Sequence, residues 1–236
     1  TGLGKTRCQL EWASQCAEQS NGKALILTPL AVARQIEREA HALGYDARVI
    51  RDQSEVKDGI NICNYDRLEK LDPDAFGAVS LDEAGILKNM GGKTSEALIN
   101  AFAGHRFRMC ATATPAPNDH MELGQQSDFL GIMPANEMLM RWFINDTAEA
   151  SQQWRLKKHA EQDFWDWMAS WARMAQNPED LGFDGSQYEL PPLNVIRHQT
   201  YGTTIRPMDG SLFVMDVSAT NMHDVKRQTS GARADL

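Results

Sequence analysis

Three consecutive residues near the start of the sequence, Gly4, Lys5 and Thr6, have the types and order that end a phosphate-binding loop. They match the last positions of the pattern GxxxxGK[ST], whose first glycine would precede Thr1. Gly2 and Gly4 would let backbone N–H groups approach phosphate oxygens. Lys5 would reach the β- and γ-phosphates, and the Thr6 hydroxyl would ligate Mg²⁺. The short motif is compatible with a nucleotide site and with an ordinary glycine-rich turn before a helix.

Two adjacent acids, Asp82 and Glu83, directly follow the apolar segment "FGAVSL". An aspartate in this position can hold Mg²⁺, and the next glutamate can orient an attacking water. An isolated acidic pair is common in surface turns. Combined with the upstream Gly-Lys-Thr, it favours a nucleotide-hydrolysing site.

Strand-like and helix-like segments alternate over residues 1–115, which is typical of a parallel sheet covered by helices in an α/β fold. The apolar runs "KALILTP", "ARVI", "INICN", "FGAVSLDEA" and "RFRMCATATP" predict strands, and residues 5–19 begin the predicted helices. Ligands of such sheets bind at the carboxyl ends of the strands. The phosphate loop and the segments "LTP", "LDE" and "TATP" are therefore expected at one edge.

Composition narrows the class of protein without giving its function. No apolar stretch approaches the ~20 residues that cross a bilayer, so no membrane partner is expected. The four cysteines form no CxxC pair, which favours the cytoplasm over an oxidising compartment. The net charge of −8 provides no general basic surface for nucleic acid, although a few loop contacts could still bind it.

Four ordered motifs carry a resemblance to a known family. "LDEAGILKN" resembles the DEAH-x-[IL]-K-N box of Swi/Snf-like superfamily 2 helicases, and "ATATPAPNDHMELGQQSDFL" resembles the third motif of that branch. "LILTP" and "INICNYDRL" are similar to its nucleic-acid-contacting motifs, and the string also resembles bacteriophage and prophage members. The resemblance covers residues 1 to about 195. Its third motif matches at Thr112, Thr114, Pro115, Asn118, Glu122, Leu123, Phe129 and Leu130.

The resemblance implies a RecA-like P-loop NTPase lobe with a mostly parallel sheet flanked by helices, plus a helical insertion. ATP with Mg²⁺ is the implied cofactor. The nucleotide would be bound by Gly2, Gly4, Lys5 and Thr6, the metal by Thr6 and Asp82, and catalysis would rest on Lys5, Asp82 and Glu83. DNA contact and coupling would fall to Thr28, Pro29, Asn64, Tyr65, Thr112 and Thr114. From local sequence alone, Thr28 and Pro29 could equally form a plain strand-to-helix turn.

The implied domains are an ATP-binding lobe at 1–133, a helical insertion at 134–190, and a linker with the start of a second lobe at 191–236. The implied partners are duplex DNA and a second RecA-like lobe, whose arginines stabilise transition-state charge. Residues 193–236 have strand-like pieces and a helix start, but no motif of that lobe. Gly85 stands where the family commonly has a histidine that links the acidic box to its neighbours.

Two later segments allow structural and functional interpretations. In "FWDWMASWARM", the spacing of Phe164, Trp167, Met168 and Trp171 favours a core-facing helix stripe over a base-stacking platform. The basic cluster "WRLKKHA" could meet DNA phosphates or form a solvated surface.

The sequence favours an ATP-dependent DNA helicase or translocase of a bacterial or phage-infected cell. A binding module without appreciable turnover, or an unrelated phosphate-loop enzyme such as a small-molecule kinase, are the alternatives. The "TATPAPND" register argues against the kinase.

Overall fold

A sheet of five parallel strands organises the protein. The computed structural model describes residues 2–89, 91–146, 153–186 and 193–196. The strand order is β2-β3-β1-β4-β5, and each neighbouring pair is parallel. The strands are β1 (Lys23–Thr28), β2 (Ala47–Val49), β3 (Gly59–Asn64), β4 (Ala78–Asp82) and β5 (Phe107–Ala111).

Helices cover both faces of this sheet. They are α1 (Lys5–Glu18), α2 (Ala33–Ala42), α3 (Lys93–Phe102) and α4 (Leu123–Leu130). Strand β1 shows why: Ala24 and Ile26 belong to the core beneath α1 and α2, whereas Leu25 and Leu27 belong to the core beneath α3 and α4. Side chains of a strand alternate between faces, so an unbroken apolar run is buried on both sides. The α/β fold with a helix-flanked parallel sheet, predicted from the sequence, is therefore confirmed.

The segment after the sheet contains two further helices, α5 (Ala135–Trp142) and α6 (Glu161–Trp171). It also contains an antiparallel ribbon of β6 (Phe143–Asp146) and β7 (Gln153–Leu156), which the helical sequence pattern did not predict. Phe164 is fully buried against Trp142 and Phe143, with ring centroids 5.8 and 5.5 Å away. That burial confirms that Phe164 packs in a core.

The chain divides into two compact units, Thr1–Asp184 and Gly185–Leu236. Most of the strand-like and helix-like features predicted for residues 193–236 lie outside the described residues. The predicted boundaries at 133/134 and 190/191 stay predictions. Within the described part of the chain, no helix is long and apolar enough to cross a membrane.

Candidate functional site

Helix α1 begins in a form suited to binding an anion. Gly2 and Gly4 have φ of 90° and 83°, and a Cβ at either position would meet no atom within 4 Å. Glycine is therefore needed for its backbone conformation rather than for lack of space. The helix has no side-chain cap and no acidic residue in its first turn, which includes Lys5 and the half-buried Thr6. Its uncapped N–H groups and positive dipole end are available for a negatively charged group.

The Lys5 ammonium contacts both acids at the end of β4. Lys5 Nζ lies 3.2 Å from Asp82 Oδ1 and also donates a hydrogen bond to Glu83 Oε1. Burial on its own would lower the pKa of Lys5, but hydrogen bonding and the charges of Glu83 and Asp82 outweigh it and raise that pKa. The structure thus brings together three residues that the sequence predicted to act on one nucleotide.

Asp82 is held by donors from three elements. Its side chain is buried, and Thr28 Oγ1 donates to Oδ2 at 3.0 Å while Lys5 lies at Oδ1. The Tyr65 hydroxyl donates to the Asp82 backbone carbonyl at 2.6 Å. Burial and the nearby negative charge of Asp82 raise the pKa of Tyr65 well above its ordinary value. Both carboxylate oxygens and the backbone of Asp82 are therefore fixed in place.

Thr28 and Tyr65 accordingly have a role that the motif comparison did not predict. The Thr28 side chain is fully buried and its hydroxyl points to Asp82, and Asn64 is also buried. Pro29, directly after Thr28, is exposed. In this structure Thr28 and Tyr65 orient the acidic residue, and contact of all four residues with DNA stays a prediction.

Glu83 has a backbone conformation that its residue type disfavours. Its φ and ψ are 54° and 53°, and it is the one non-glycine residue with a positive φ in the part of the chain that the structure describes. Left-handed backbone is uncommon for residues with a long side chain, and such outliers cluster at functional sites. The conformation turns the chain sharply from β4 into a short 3₁₀ helix, Ala84–Lys88. We call residues 82–88 the acidic turn.

An open cleft of about 270 Å³ adjoins Glu83 at the same edge of the sheet. It is lined by Pro29, Leu30, Asn64, Tyr65, Asp66, Glu83 and Ile86. Glu83, a predicted catalytic acid, therefore lines the same cleft as four residues of the predicted DNA-contacting motifs: Pro29, Asn64, Tyr65 and Asp66.

The loop after β5, residues 112–115, which we call the TATP loop, approaches the acidic turn. Thr114 N donates to Thr112 Oγ1 at 3.1 Å, so the two threonines form a local turn. A Cβ built at Gly85 would lie 3.8 Å from the Thr114 carbonyl oxygen, an ordinary contact distance. The TATP loop and the acidic turn are thus neighbours, and Gly85 lies where they meet.

Several supporting polar residues were missed by sequence reasoning. Gln9 Nε2 of α1 donates to Ser80 Oγ of β4 at 2.9 Å, which ties the helix after the phosphate loop to the strand that ends in Asp82. Gln125 and Gln126 of α4 are also buried. The available signal was a polar residue at a position that the surrounding apolar pattern places in the core. Among the described residues, no group of three or more His, Cys, Asp and Glu side chains could hold a metal ion.

Comparison with known proteins finds likeness at the level of structure. No protein-family model and no curated protein matches the sequence. A solved structure that matches is the SWI2/SNF2 ATPase core of Sulfolobus solfataricus in complex with dsDNA, with a TM-score of 0.55 and 20% identity. The match covers 72% of this chain but only 37% of the solved chain. At that identity the likeness shows a shared fold.

Proposed function

We propose that this chain is the nucleotide-binding lobe of a Swi/Snf-like superfamily 2 motor that couples ATP hydrolysis to movement on DNA. The observation that carries the proposal is the convergence of Lys5, Asp82 and Glu83 at the start of α1 and the end of β4. A basic residue at an uncapped helix N-terminus and a buried, oriented aspartate are the parts that phosphate and Mg²⁺ binding require. The resemblance of the motifs and the shared fold support the same assignment.

The residues present fit ATP and Mg²⁺. Gly2 and Gly4 leave open space beside the N–H groups of the loop, and Lys5 supplies a positive charge. Thr6 and Asp82 offer hydroxyl and carboxylate oxygens, which are the hard ligands that Mg²⁺ prefers. The Lys5 ammonium, between two carboxylates, marks the position where this site favours a cation. Bound Mg²⁺ would supply neutralisation of phosphate charge.

The residues around Asp82 would divide phosphate binding, positioning and water activation among them. Lys5 would exchange its carboxylate partners for phosphate oxygens, because both are anions within reach of one flexible side chain. Thr28 and Tyr65, which bond Asp82 in the structure, would keep it in one orientation. Glu83, whose side chain is 46% exposed, is the acid open to water, and it would orient the attacking water molecule.

Duplex DNA is the proposed partner, since the SWI2/SNF2 core that matches in fold was solved with dsDNA. The cleft beside Glu83 is the proposed contact, through the exposed residues Pro29 and Leu30. We further propose that a second RecA-like lobe completes the motor. The complete motor would act in the cytoplasm of a bacterial or phage-infected cell.

The test is ATP hydrolysis, with and without duplex DNA, by this chain and by a chain extended through a second lobe. We expect the extended chain to hydrolyse ATP faster when DNA is added, and Lys5→Ala to reduce that activity to background. A matched control is Lys57→Ala, which removes an exposed lysine just before β3, at the end of that strand opposite the site. If Lys5→Ala leaves activity intact, or DNA has no effect on the extended chain, the motor assignment is wrong.

A binding module without appreciable turnover is the second candidate. It is favoured by the match to only 37% of the solved ATPase core, because a partner lobe is expected to supply transition-state stabilisation. Equilibrium binding of a fluorescent ATP analogue separates the two. The module predicts Lys5-dependent binding with no hydrolysis in either chain.

A further inference from the structure

Helix α4 buries two adjacent polar side chains, Gln125 and Gln126, which are 6% and 7% exposed. Burying an amide is unfavourable unless it is hydrogen-bonded. The partners of the two side chains lie in different parts of the site and identify what each holds.

Gln126 holds the TATP loop. Its Nε2 donates to the Pro115 carbonyl oxygen at 2.6 Å. Pro115 directly follows Thr114, so the bond fixes the loop at the residue next to the predicted coupling threonine. The hydrogen bond therefore ties the end of the TATP loop to α4.

Gln125 holds the acidic turn through Ser95, which is itself buried. The Ser95 hydroxyl shares its single hydrogen between Gln125 Oε1, at 2.9 Å, and the Leu87 carbonyl oxygen, at 3.3 Å. Leu87 belongs to the 3₁₀ helix that begins directly after Glu83. Neighbouring residues of one helix therefore connect to the acidic turn and to the TATP loop.

Direct contact between those two segments is reduced at Gly85. A side chain there would meet the Thr114 carbonyl, and glycine has none to offer. The family that the sequence resembles commonly has a histidine in this place. In this chain, the hydrogen bonds through Ser95 and Gln126 connect both segments to α4.

We propose that Gln125 and Gln126 are positioning residues that couple the acidic turn to the TATP loop, so that nucleotide binding and DNA binding influence each other through α4. The inference rests on the proposed function and adds to it the pair of residues that transmits the effect. Coupling between two ligands is reciprocal: DNA changes the affinity for ATP by the same factor by which ATP changes the affinity for DNA.

The experiment uses Gln125→Met and Gln126→Met in the full chain, since methionine keeps the length of the side chain and removes its amide. Gln162→Met is the matched control, because Gln162 is exposed on α6 and its amide donates to the nearby Asp166 carboxylate. The affinity for a fluorescent ATP analogue is measured with and without duplex DNA. We expect DNA to change the wild-type affinity by roughly fivefold or more.

In Gln125→Met and in Gln126→Met, ATP alone and DNA alone should each bind within about twofold of their wild-type affinity. The change in ATP affinity that DNA causes should fall below about twofold. The control should keep the wild-type effect. A full DNA effect in both core variants overturns the proposal. A wild-type chain that binds ATP through Lys5 but does not respond to DNA also overturns it, and leaves the nucleotide site intact.

If the wild-type chain binds no ATP, the proposed function fails, and hydrogen exchange of the ligand-free chain decides on the positioning role. Gln126→Met should accelerate exchange in residues 112–118, and Gln125→Met should accelerate it in residues 84–89. Equal exchange in wild type and both variants overturns the positioning role.

Discussion

At the scale of single residues, Glu83 combines a side chain that the proposed chemistry needs with a backbone that costs stability. A left-handed conformation costs a residue of this type about 1–2 kcal/mol, and asparagine tolerates it better. We predict that Glu83→Asn raises the free energy of unfolding by about 0.5–1 kcal/mol while it abolishes ATP hydrolysis and preserves ATP binding. Urea unfolding and a binding titration measure both effects.

Glu83→Gln is the matched control for this prediction. It removes the same negative charge but keeps a side chain that fits the left-handed backbone poorly, so it should be less stable than Glu83→Asn. Equal stability of the two variants would show that strain at Glu83 is negligible.

Tyr65 provides a second prediction, on pH dependence. Tyr65→Phe removes the hydrogen bond to the Asp82 carbonyl and should lower the free energy of unfolding by about 1 kcal/mol at pH 7. Folding raises the pKa of Tyr65, so above pH 10.0 the tyrosine ionises in the unfolded chain before it ionises in the folded one. This lowers the free energy of unfolding of the wild type as the pH rises, whereas the phenylalanine variant has no such group to ionise. The difference between the two proteins should therefore narrow above pH 10. A difference that widens there would contradict the raised pKa.

The residues that meet at the site were predictable to different degrees. Lys5, Asp82 and Glu83 follow from motif chemistry and from the rule that parallel strands end at one edge. The direction of the Thr28 side chain, toward Asp82, does not follow from the motif. It depends on the register that places β1 between β3 and β4, and a shift of one residue would reverse which face each side chain occupies.

At the scale of elements, Lys157 shows that part of the basic cluster is structural. Its Nζ lies 3.0 Å from both the Met140 and Arg141 carbonyl oxygens at the end of α5, where a cation offsets the helix dipole. We predict that Lys157→Met lowers the free energy of unfolding by about 1 kcal/mol and leaves DNA affinity unchanged. Urea unfolding and fluorescence anisotropy test this, with the exposed Lys158→Met as control. A fall in DNA affinity specific to Lys157→Met would instead assign it a phosphate contact.

The elements themselves were predictable where the apolar period is long. The sheet strands and α1 to α3 show clear periodicity and clear stop signals, and the structure has them near the expected places. The ribbon was not predictable, because β6 and β7 are four residues each and stabilise one another by pairing. Isolated short strands carry too little pattern to be distinguished from the aromatic helices around them.

At the scale of the whole molecule, the acidic charge constrains how DNA can bind. The chain has a net charge of −8, and the cleft proposed to meet DNA includes Asp66 and Glu83 but no lysine or arginine among its lining residues. Binding through a few loop contacts releases few counterions. Affinity should therefore depend weakly on salt compared with a protein that binds through a basic surface.

We predict that the logarithm of the DNA association constant falls with the logarithm of salt concentration with a slope shallower than about −4, because each neutralised phosphate contributes about −0.9. Asp66→Asn should raise affinity a few-fold, since it removes a negative charge from the exposed wall of the cleft. Fluorescence anisotropy over a range of salt concentrations measures both. Asp163→Asn, on the first turn of α6, is the control of equal charge change. A slope steeper than about −6 would place the DNA contact on a different, basic surface. An equal gain from the control would show that Asp66 acts only through the net charge of the chain.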